Sequence, residues 1–239
     1  MSPLFAYDTA IAGRFPAIRG GVISASGLGN GPSPTELLEA FLAEQRVALA
    51  KLDETPIAEI PSIEAWRRAF TAFGVKPTQH RVAAEALLRR LQKTGDIPSI
   101  NTLVDTANLV SIRYALPVAV FDQATVNGST TVRFATGQER FTDLGATETT
   151  NPEPGEVIFV DDADIVSARR WCWRQSSQSA TDPHTTDALI TVEALHENAE
   201  ADIDSAVADL LTLLDRYQPQ STHSWRILSA DNPVFTSAH

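Results

Sequence analysis

Three features of the sequence predict an α+β domain. Apolar residues recur at helical spacing through the first half of the chain, strand-like alternation takes over after Pro117, and no regular βαβ alternation links the two. The prediction is therefore N-terminal helices followed by a mostly antiparallel β-sheet packed against helices. The 239 residues contain no internal repeat and no linker long enough to divide them, so one domain over 1–239 is expected, with 1–60 an N-terminal strand and helix extension.

Residues 16–26 read as a strand, and G-L-G-N-G-P-S-P after it as a loop. Leu37, Leu38, Phe41, Leu42, Val47 and Leu49 then recur at helical spacing over 35–52, with Ser33 or Thr35 as cap. Ser62 is predicted to cap a second helix over 63–73, closed by Gly74. A third runs from a cap at Thr78 to 94 and stops at Gly95. Pro98 separates it from a helix over 101–114. P-V-A-V-F-D and T-T-V-R-F-A read as strands paired through the Asn127-Gly128 turn. Residues 156–160 form another strand, followed by the acidic turn D-D-A-D. Two longer strands, 165–174 and 187–195, flank a Ser/Thr-rich loop. An amphipathic helix over 203–217 and a closing strand at 224–228 complete the reading.

Composition narrows the function classes. The net charge of −11 argues against a general affinity for polyanions. The charge is uneven: residues 61–113 carry eight Lys/Arg and four acids (+4), and residues 187–215 carry eight acids and no Lys or Arg (−8). A basic face in the first region could meet nucleic acid within an acidic protein, or both regions are solvated helix faces. No apolar run approaches the roughly 18 residues a membrane span needs. The start M-S-P-L-F-A-Y-D lacks a signal-peptide pattern, so a cytoplasmic location is expected. The single cysteine, Cys172, excludes an intramolecular disulfide and reads as a buried structural thiol.

Several motifs fail. Gly27, Gly29 and Gly31 precede a helix, but Pro32 stands where the dinucleotide fingerprint needs its third glycine. Asp161, Asp162 and Asp164 lack the glycine and distal Glu of a calcium loop. The histidines at 80, 184, 196, 223 and 239 form no H-E-x-x-H, and no G-x-S-x-G is present. No cofactor and no metal are expected.

Three segments carry candidate function. In I-P-S-I-N-T-L-V-D-T-A-N-L-V-S, residues 97–111, Asn101, Asp105 and Asn108 fall at i, i+4 and i+7 on one side of an apolar helix. They either pair in the interior or line a site. In R-R-W-C-W-R-Q-S-S-Q-S-A-T, residues 169–181, a strand would point Arg169, Trp171 and Trp173 one way and Arg170, Cys172 and Arg174 the other. Arg170, Trp171 and Arg174 could then stack on and pair with a nucleotide end, while Gln175, Ser176, Ser177 and Thr181 read a small ligand. The alternative is an aromatic cluster with surface arginines. In residues 76–91, Arg81, Glu85 and Arg89 form a ladder that usually means surface salt bridges.

Together these segments resemble the B3/4 family, known as the editing region of the bacterial phenylalanyl-tRNA synthetase β subunit and from freestanding members. The resemblance covers 62–195 as the recognisable core. It rests on W-R-R-A-F-T-A-F-G, K-P-T-Q-H-R, E-A-L-L-R-R-L, S-I-N-T-L-V-D-T-A-N-L-V-S, G-Q-E-R-F-T-D-L-G, G-E-V-I-F-V-D and R-R-W-C-W-R-Q-S in the family's order. It implies a B3/4-like fold and a pocket lined by Asn101, Asp105, Asn108, Ala119, Gly137, Glu139, Gln175, Ser176, Ser177 and Thr181. Its partner would be a tRNA 3′ end or aminoacyl-tRNA, or a small amino-acid-like ligand.

Two departures matter. The synthetase pattern P-x-H-A-F-D is here P-V-A-V-F-D, with Ala119 in the histidine's place. Ser176 or a neighbour stands for the acid that recognises the tyrosine hydroxyl. Both argue against tyrosine as substrate. The resemblance therefore implies a freestanding protein that hydrolyses some mischarged aminoacyl-tRNA in trans, with backbone N–H groups near Gly137 or 175–177 as oxyanion donors. The alternatives are a non-catalytic module that binds an amino acid or RNA end, and an enzyme acting on an unrelated small molecule.

Overall fold

A computed structural model describes residues 3–236; Met1 and Ser2 of the N-terminal reading, and His239, lie outside the described residues. The elements are β1 (Phe5–Tyr7), α1 (Thr9–Arg14), β2 (Arg19–Ser26), α2 (Thr35–Glu54), α3 (Pro61–Ala72), α4 (Ala83–Thr94), α5 (Thr102–Tyr114), β3 (Val118–Asp122), β4 (Thr130–Phe134), β5 (Phe141–Thr142) and β6 (Thr149–Thr150). There follow β7 (Val157–Val160), β8 (Val166–Arg169), β9 (Arg174–Gln175), β10 (Asp187–Ala194), α6 (Ala199–Tyr217), β11 (Thr222–Ser229) and β12 (Val234–Phe235). A four-stranded antiparallel sheet runs β11-β2-β10-β3, and a six-stranded sheet runs β12-β1-β4-β7-β8-β9, antiparallel except between β1 and β4. The small β5-β6 pair stands apart.

Two adjacent glycines in β2 set how these layers stack. Successive strand residues face opposite sides. On one side a Cβ at Gly21 would lie 2.2 Å from Cγ2 of Val207 in α6, so the missing side chain is what lets the helix lie close on the sheet. On the other, a Cβ at Gly20 would lie 2.0 Å from the Tyr7 hydroxyl of β1. Helices therefore cover one face of the four-stranded sheet and the six-stranded sheet covers the other. Phe121 and Phe159, with ring centroids 5.5 Å apart, join the two sheets.

The acidic helix α6 packs on the domain. Ile203, Ala206, Val207, Leu210 and Leu214 form its buried stripe. Arg113 of α5 ties it in, contacting Asp209 at 2.7 Å and Glu44 of α2 at 2.5 Å. The pairing explains part of the local charge imbalance, since this arginine is balanced by acids from two other helices.

Five local expectations are corrected. Ser33 and Thr35 do not cap α2. Pro34 holds the cap position, and the Ser33 hydroxyl donates to Asp105 at 2.6 Å. Ser62 lies inside α3 and donates to the Ala115 carbonyl at 2.9 Å, because Pro61 already starts the helix. The helix expected from Thr78 begins at Ala83. Pro77 disfavours helix before it, and residues 77–79 form a turn instead. The Ala83 N–H then bonds the Cys172 carbonyl at 2.7 Å, which ties the start of α4 to the 169–175 segment.

The fourth correction concerns Asn127-Gly128, which does not close a hairpin. β3 pairs with β10 and β4 with β1 and β7, so the turn crosses between sheets. Asp161 captures the Asn127 backbone N–H at 2.9 Å and its side-chain amide at 2.7 Å, and Gly128 has φ +75°. The fifth is the strand expected over 165–174. It breaks at Arg170 and Trp171, whose φ values of +45° and +58° turn the chain back into β9.

Candidate functional site

A cavity of about 80 Å³ opens between β3, β10 and the β8–β9 turn. Ala119, Val118, Phe159, Ala168 and Trp171 supply an apolar wall, with Thr191 and Glu193 from β10 and Cys172, Arg174 and Gln175 from the turn. Glu193 is its chemical centre. It is 1% exposed and opposes Gly20 in the β10–β2 register. Without a side chain at Gly20, the Tyr7 hydroxyl reaches the carboxylate and donates to Oε1 at 2.8 Å. The Trp171 indole N–H donates to the same oxygen at 3.1 Å, and the Cys172 thiol donates to Oε2 at 3.1 Å.

Burial pushes the proton affinity of Glu193 above the ordinary carboxylate range, against the opposing pull of the donors from Trp171, Cys172 and Tyr7. Burial, then the neighbouring Glu193, likewise raises the Tyr7 phenol and the Cys172 thiol, so both remain protonated donors. Cys172 is thus a hydrogen-bonding thiol facing a carboxylate, a setting opposite to one that activates a nucleophile.

The left-handed pair in the β8–β9 turn shapes the cavity mouth. The Arg170 N–H bonds Glu156 at 3.1 Å and the Trp171 N–H bonds the Val157 carbonyl at 2.6 Å, holding a backbone conformation that costs about 1–3 kcal/mol per non-glycine residue. Past the turn, two guanidiniums lie over the Trp173 ring, Arg170 at 4.6 Å and Arg174 at 4.8 Å from its centroid. His80 meets the same ring edge-on at 4.7 Å. Burial and then the Arg170 charge lower the proton affinity of His80.

The residues singled out in the sequence divide among several places. Ala119, Trp171, Arg174 and Gln175 meet at the cavity. Arg170 sits at its rim, but Trp171 corrects the expectation of an RNA-stacking surface. Its ring is fully buried, edge-on to Trp66 and Phe15 at 5.0 Å each, because the turn rotates it into the core. The ring under the two arginines belongs to Trp173, which is half-buried. Gln175 uses its amide N–H groups on the Val120 and Ser179 carbonyls, so it holds the turn against β3.

The other candidates do not reach the cavity. Asn101 caps α5 by accepting from the Val104 N–H at 2.9 Å, and its amide reaches Thr181 at 3.3 Å. Asp105 is fully buried and accepts from Ser33, Ser99 and the Ile100 N–H, which pins two loops to the helix start. Asn108 lies further along α5, partly exposed. Ser176 and Ser177 both donate to the Thr142 carbonyl. Glu139 accepts from Arg133, Thr136 and the Gly137 N–H, closing its own turn. The Gly137 N–H is therefore engaged and is not an oxyanion donor here; the Ser176 and Ser177 N–H groups are likewise bonded to the Ser167 and Thr142 carbonyls. Although burial opposes it, bonds from Thr136 and Arg133 hold the Glu139 carboxyl down at about 2.

The ladder on α4 is more than a surface feature. Glu85 is fully buried, and Arg67 and Arg89 each meet its Oε1 at 2.8 Å, with Arg81 at 3.9 Å. Among the described residues no group of three or more His, Cys, Asp or Glu is arranged to hold a metal ion, and no helix is long and apolar enough to cross a membrane.

Sequence reasoning missed Glu193, Tyr7 and Thr191. The signal for Glu193 was legible as an acid set inside the buried part of a mostly apolar strand, D-A-L-I-T-V-E-A, where a carboxylate needs partners.

Two sheets lie under a helical layer, and a small cavity lined by Glu193 opens beside the Trp173 ring and its two arginines. The chain belongs to the B3/4 domain family, whose model matches residues 65–207. It is 33% identical over 89 residues to the phenylalanine–tRNA ligase β subunit of Shewanella oneidensis, a match covering 37% of this chain and 11% of that subunit. It is also similar to the crystal structure of an N-terminal fragment of the phenylalanyl-tRNA synthetase β subunit from Pyrococcus horikoshii, with a TM-score of 0.49 and 11% identity over 92% of this chain and 50% of the fragment. The chain therefore spans about a tenth of the first relative and half of the second.

Proposed function

We propose that this protein hydrolyses a mischarged aminoacyl-tRNA in trans, taking the amino-acid side chain into the Glu193 cavity and the tRNA 3′ end onto the Trp173 rim. The observation that carries this reading is their adjacency: Trp173 and Arg174 line the cavity and also belong to the cationic rim. Arg170 and Arg174, which lie over the Trp173 ring, would swing out to meet phosphate and free its face for a terminal base. In the reaction, water adds to the ester carbonyl carbon, the bond to the ribose oxygen breaks, and the proton ends on that oxygen by way of the neighbouring ribose hydroxyl. The protein supplies orientation, which accounts for much of the barrier reduction in such reactions.

The test is release of amino acid from a panel of aminoacyl-tRNAs by the purified protein. Selective release supports the reading, and release no faster than in buffer across the whole panel overturns it. A second reading, a binding module without turnover, draws on Ala119, which presents a methyl group to the cavity where the synthetase pattern has a histidine. Its signature is saturable binding of charged tRNA with the ester intact.

A further inference from the structure

We infer that the Glu193 cavity selects a small side chain carrying a single hydroxyl, that of serine or threonine, with Glu193 as the specificity-determining residue. This inference deepens the proposed editing activity and rests on it for the aminoacyl ester, though it is decided by binding alone.

Size comes first. About 80 Å³ is roughly half the 150 Å³ that accommodates benzene, so the cavity admits about three heavy atoms and excludes a phenol ring. The wall of Val118, Ala119, Ala168 and Phe159 suits a methyl or methylene group. Polarity comes next. The three donors aimed at Glu193 cast it as an acceptor, and a carboxylate in that role offers about four acceptor positions. Tyr7 and Trp171 occupy two on Oε1, and Cys172 occupies one on Oε2. One position remains on Oε2, in a group that lines the cavity. A hydroxyl brings one donor and matches that vacancy.

An ammonium brings three donors and a charge. It would leave donors unmatched and would sit beside the Arg174 guanidinium, which lines the same cavity. An apolar side chain of the same size fills the cavity and leaves the remaining acceptor buried without a partner. That asymmetry is the one that gives strong discrimination, since a site built to bond a hydroxyl rejects the isostere lacking it far better than it rejects an added methylene.

The test uses non-hydrolysable 3′-amino-3′-deoxyadenosine bearing threonine, valine, serine, alanine or tyrosine as an amide, with Kd measured by calorimetry. The wild-type protein is expected to bind the threonyl amide about 10- to 100-fold more tightly than the valyl amide, and the seryl more tightly than the alanyl. Glu193→Gln is expected to bring the threonyl-to-valyl ratio close to one. Equal wild-type affinities for threonyl and valyl amides, a preference for the tyrosyl amide, no binding of any amide at millimolar concentration, or an unchanged preference in Glu193→Gln would each overturn the inference. If Glu193→Gln fails to fold, the wild-type comparison decides alone. Threonyl preference without ester hydrolysis would remove the editing reaction and leave the selectivity standing.

Discussion

Gly20→Ala is a sharp test of how the cavity floor is built, because two effects of opposite sign act on one atom. Replacing a strand glycine by alanine ordinarily gains about 0.5–1 kcal/mol by reducing the freedom of the unfolded chain. Here the new Cβ would stand 2.0 Å from the Tyr7 hydroxyl, whereas real Cβ contacts essentially never fall below 3.0 Å. Tyr7 must move by an ångström or more, which breaks its 2.8 Å bond to Glu193. A hydrogen bond to a charged group contributes about 1.5–3 kcal/mol, and overpacking costs about 1–3 kcal/mol. The clash therefore outweighs the entropy gain, for a net loss of about 2–5 kcal/mol. In a chain of 239 residues that lowers Tm by roughly 5–15 °C.

The control is Tyr7→Phe, which removes the clashing oxygen and leaves ring carbons at 3.0 and 3.2 Å from the same Cβ. The Gly20→Ala penalty in that background should shrink by at least about 1.5 kcal/mol, a coupling well outside the additivity expected of independent sites. Equilibrium unfolding in urea of the wild type, both single variants and the double variant measures it. Equal penalties in the two backgrounds, or no penalty in the wild type, would refute the account of the Gly20–Tyr7–Glu193 stack.

Glu193 is more readily protonated when folded than in the unfolded chain, so its stabilising contribution is full below the unfolded value near 4.5 and is lost as pH rises through the higher folded value. Glu193→Gln should accordingly gain stability relative to wild type with rising pH, and a flat difference across thermal scans from pH 4 to 8 would contradict this. Glu139 has the opposite sign: its carboxyl, held at about 2 against 4.5, contributes roughly 3 kcal/mol above the unfolded value. Glu139→Gln should cost up to that amount at pH 7, with the deficit shrinking as pH falls toward 2. Asp105→Ala should cost about 3 kcal/mol in denaturant unfolding by releasing Ser33, Ser99 and Ile100, yet leave the Kd for a bound amide within about threefold among molecules that fold. Replacing Arg170 and Arg174 together by alanine should weaken tRNA binding and lower its log–log salt slope by about 1.4, the value for two phosphates of a single strand. An unchanged slope removes them from the RNA contact.

Most of the secondary structure was legible because it is local. The helical spacing of α2, the apolar run of β10 and the stop of α4 at Gly95 are properties of neighbouring residues, and the structure reproduces them. What was not legible depends on partners distant in sequence. Arg169 to Arg174 alternate like a strand, but Glu156 and Val157 hold Arg170 and Trp171 in a turn, and Trp66 and Phe15 give the rotated indole a place in the core. Asn101 and Asp105 were read as one polar stripe, but Asn101 caps its own helix and reaches Thr181 while Asp105 is held by Ser33 from another loop. The cavity shows the same division most clearly. Ala119 stood out in the sequence against the synthetase pattern, but Glu193 acquires its setting only from Tyr7, separated from it by 186 positions, through an opening at Gly20. A glycine beside a second glycine in β2 reads as weak strand sequence, yet each has a separate purpose: Gly21 admits α6 and Gly20 admits the tyrosine that bonds the carboxylate. Ala119 and Glu193 line one cavity, a pairing that only the fold brings together.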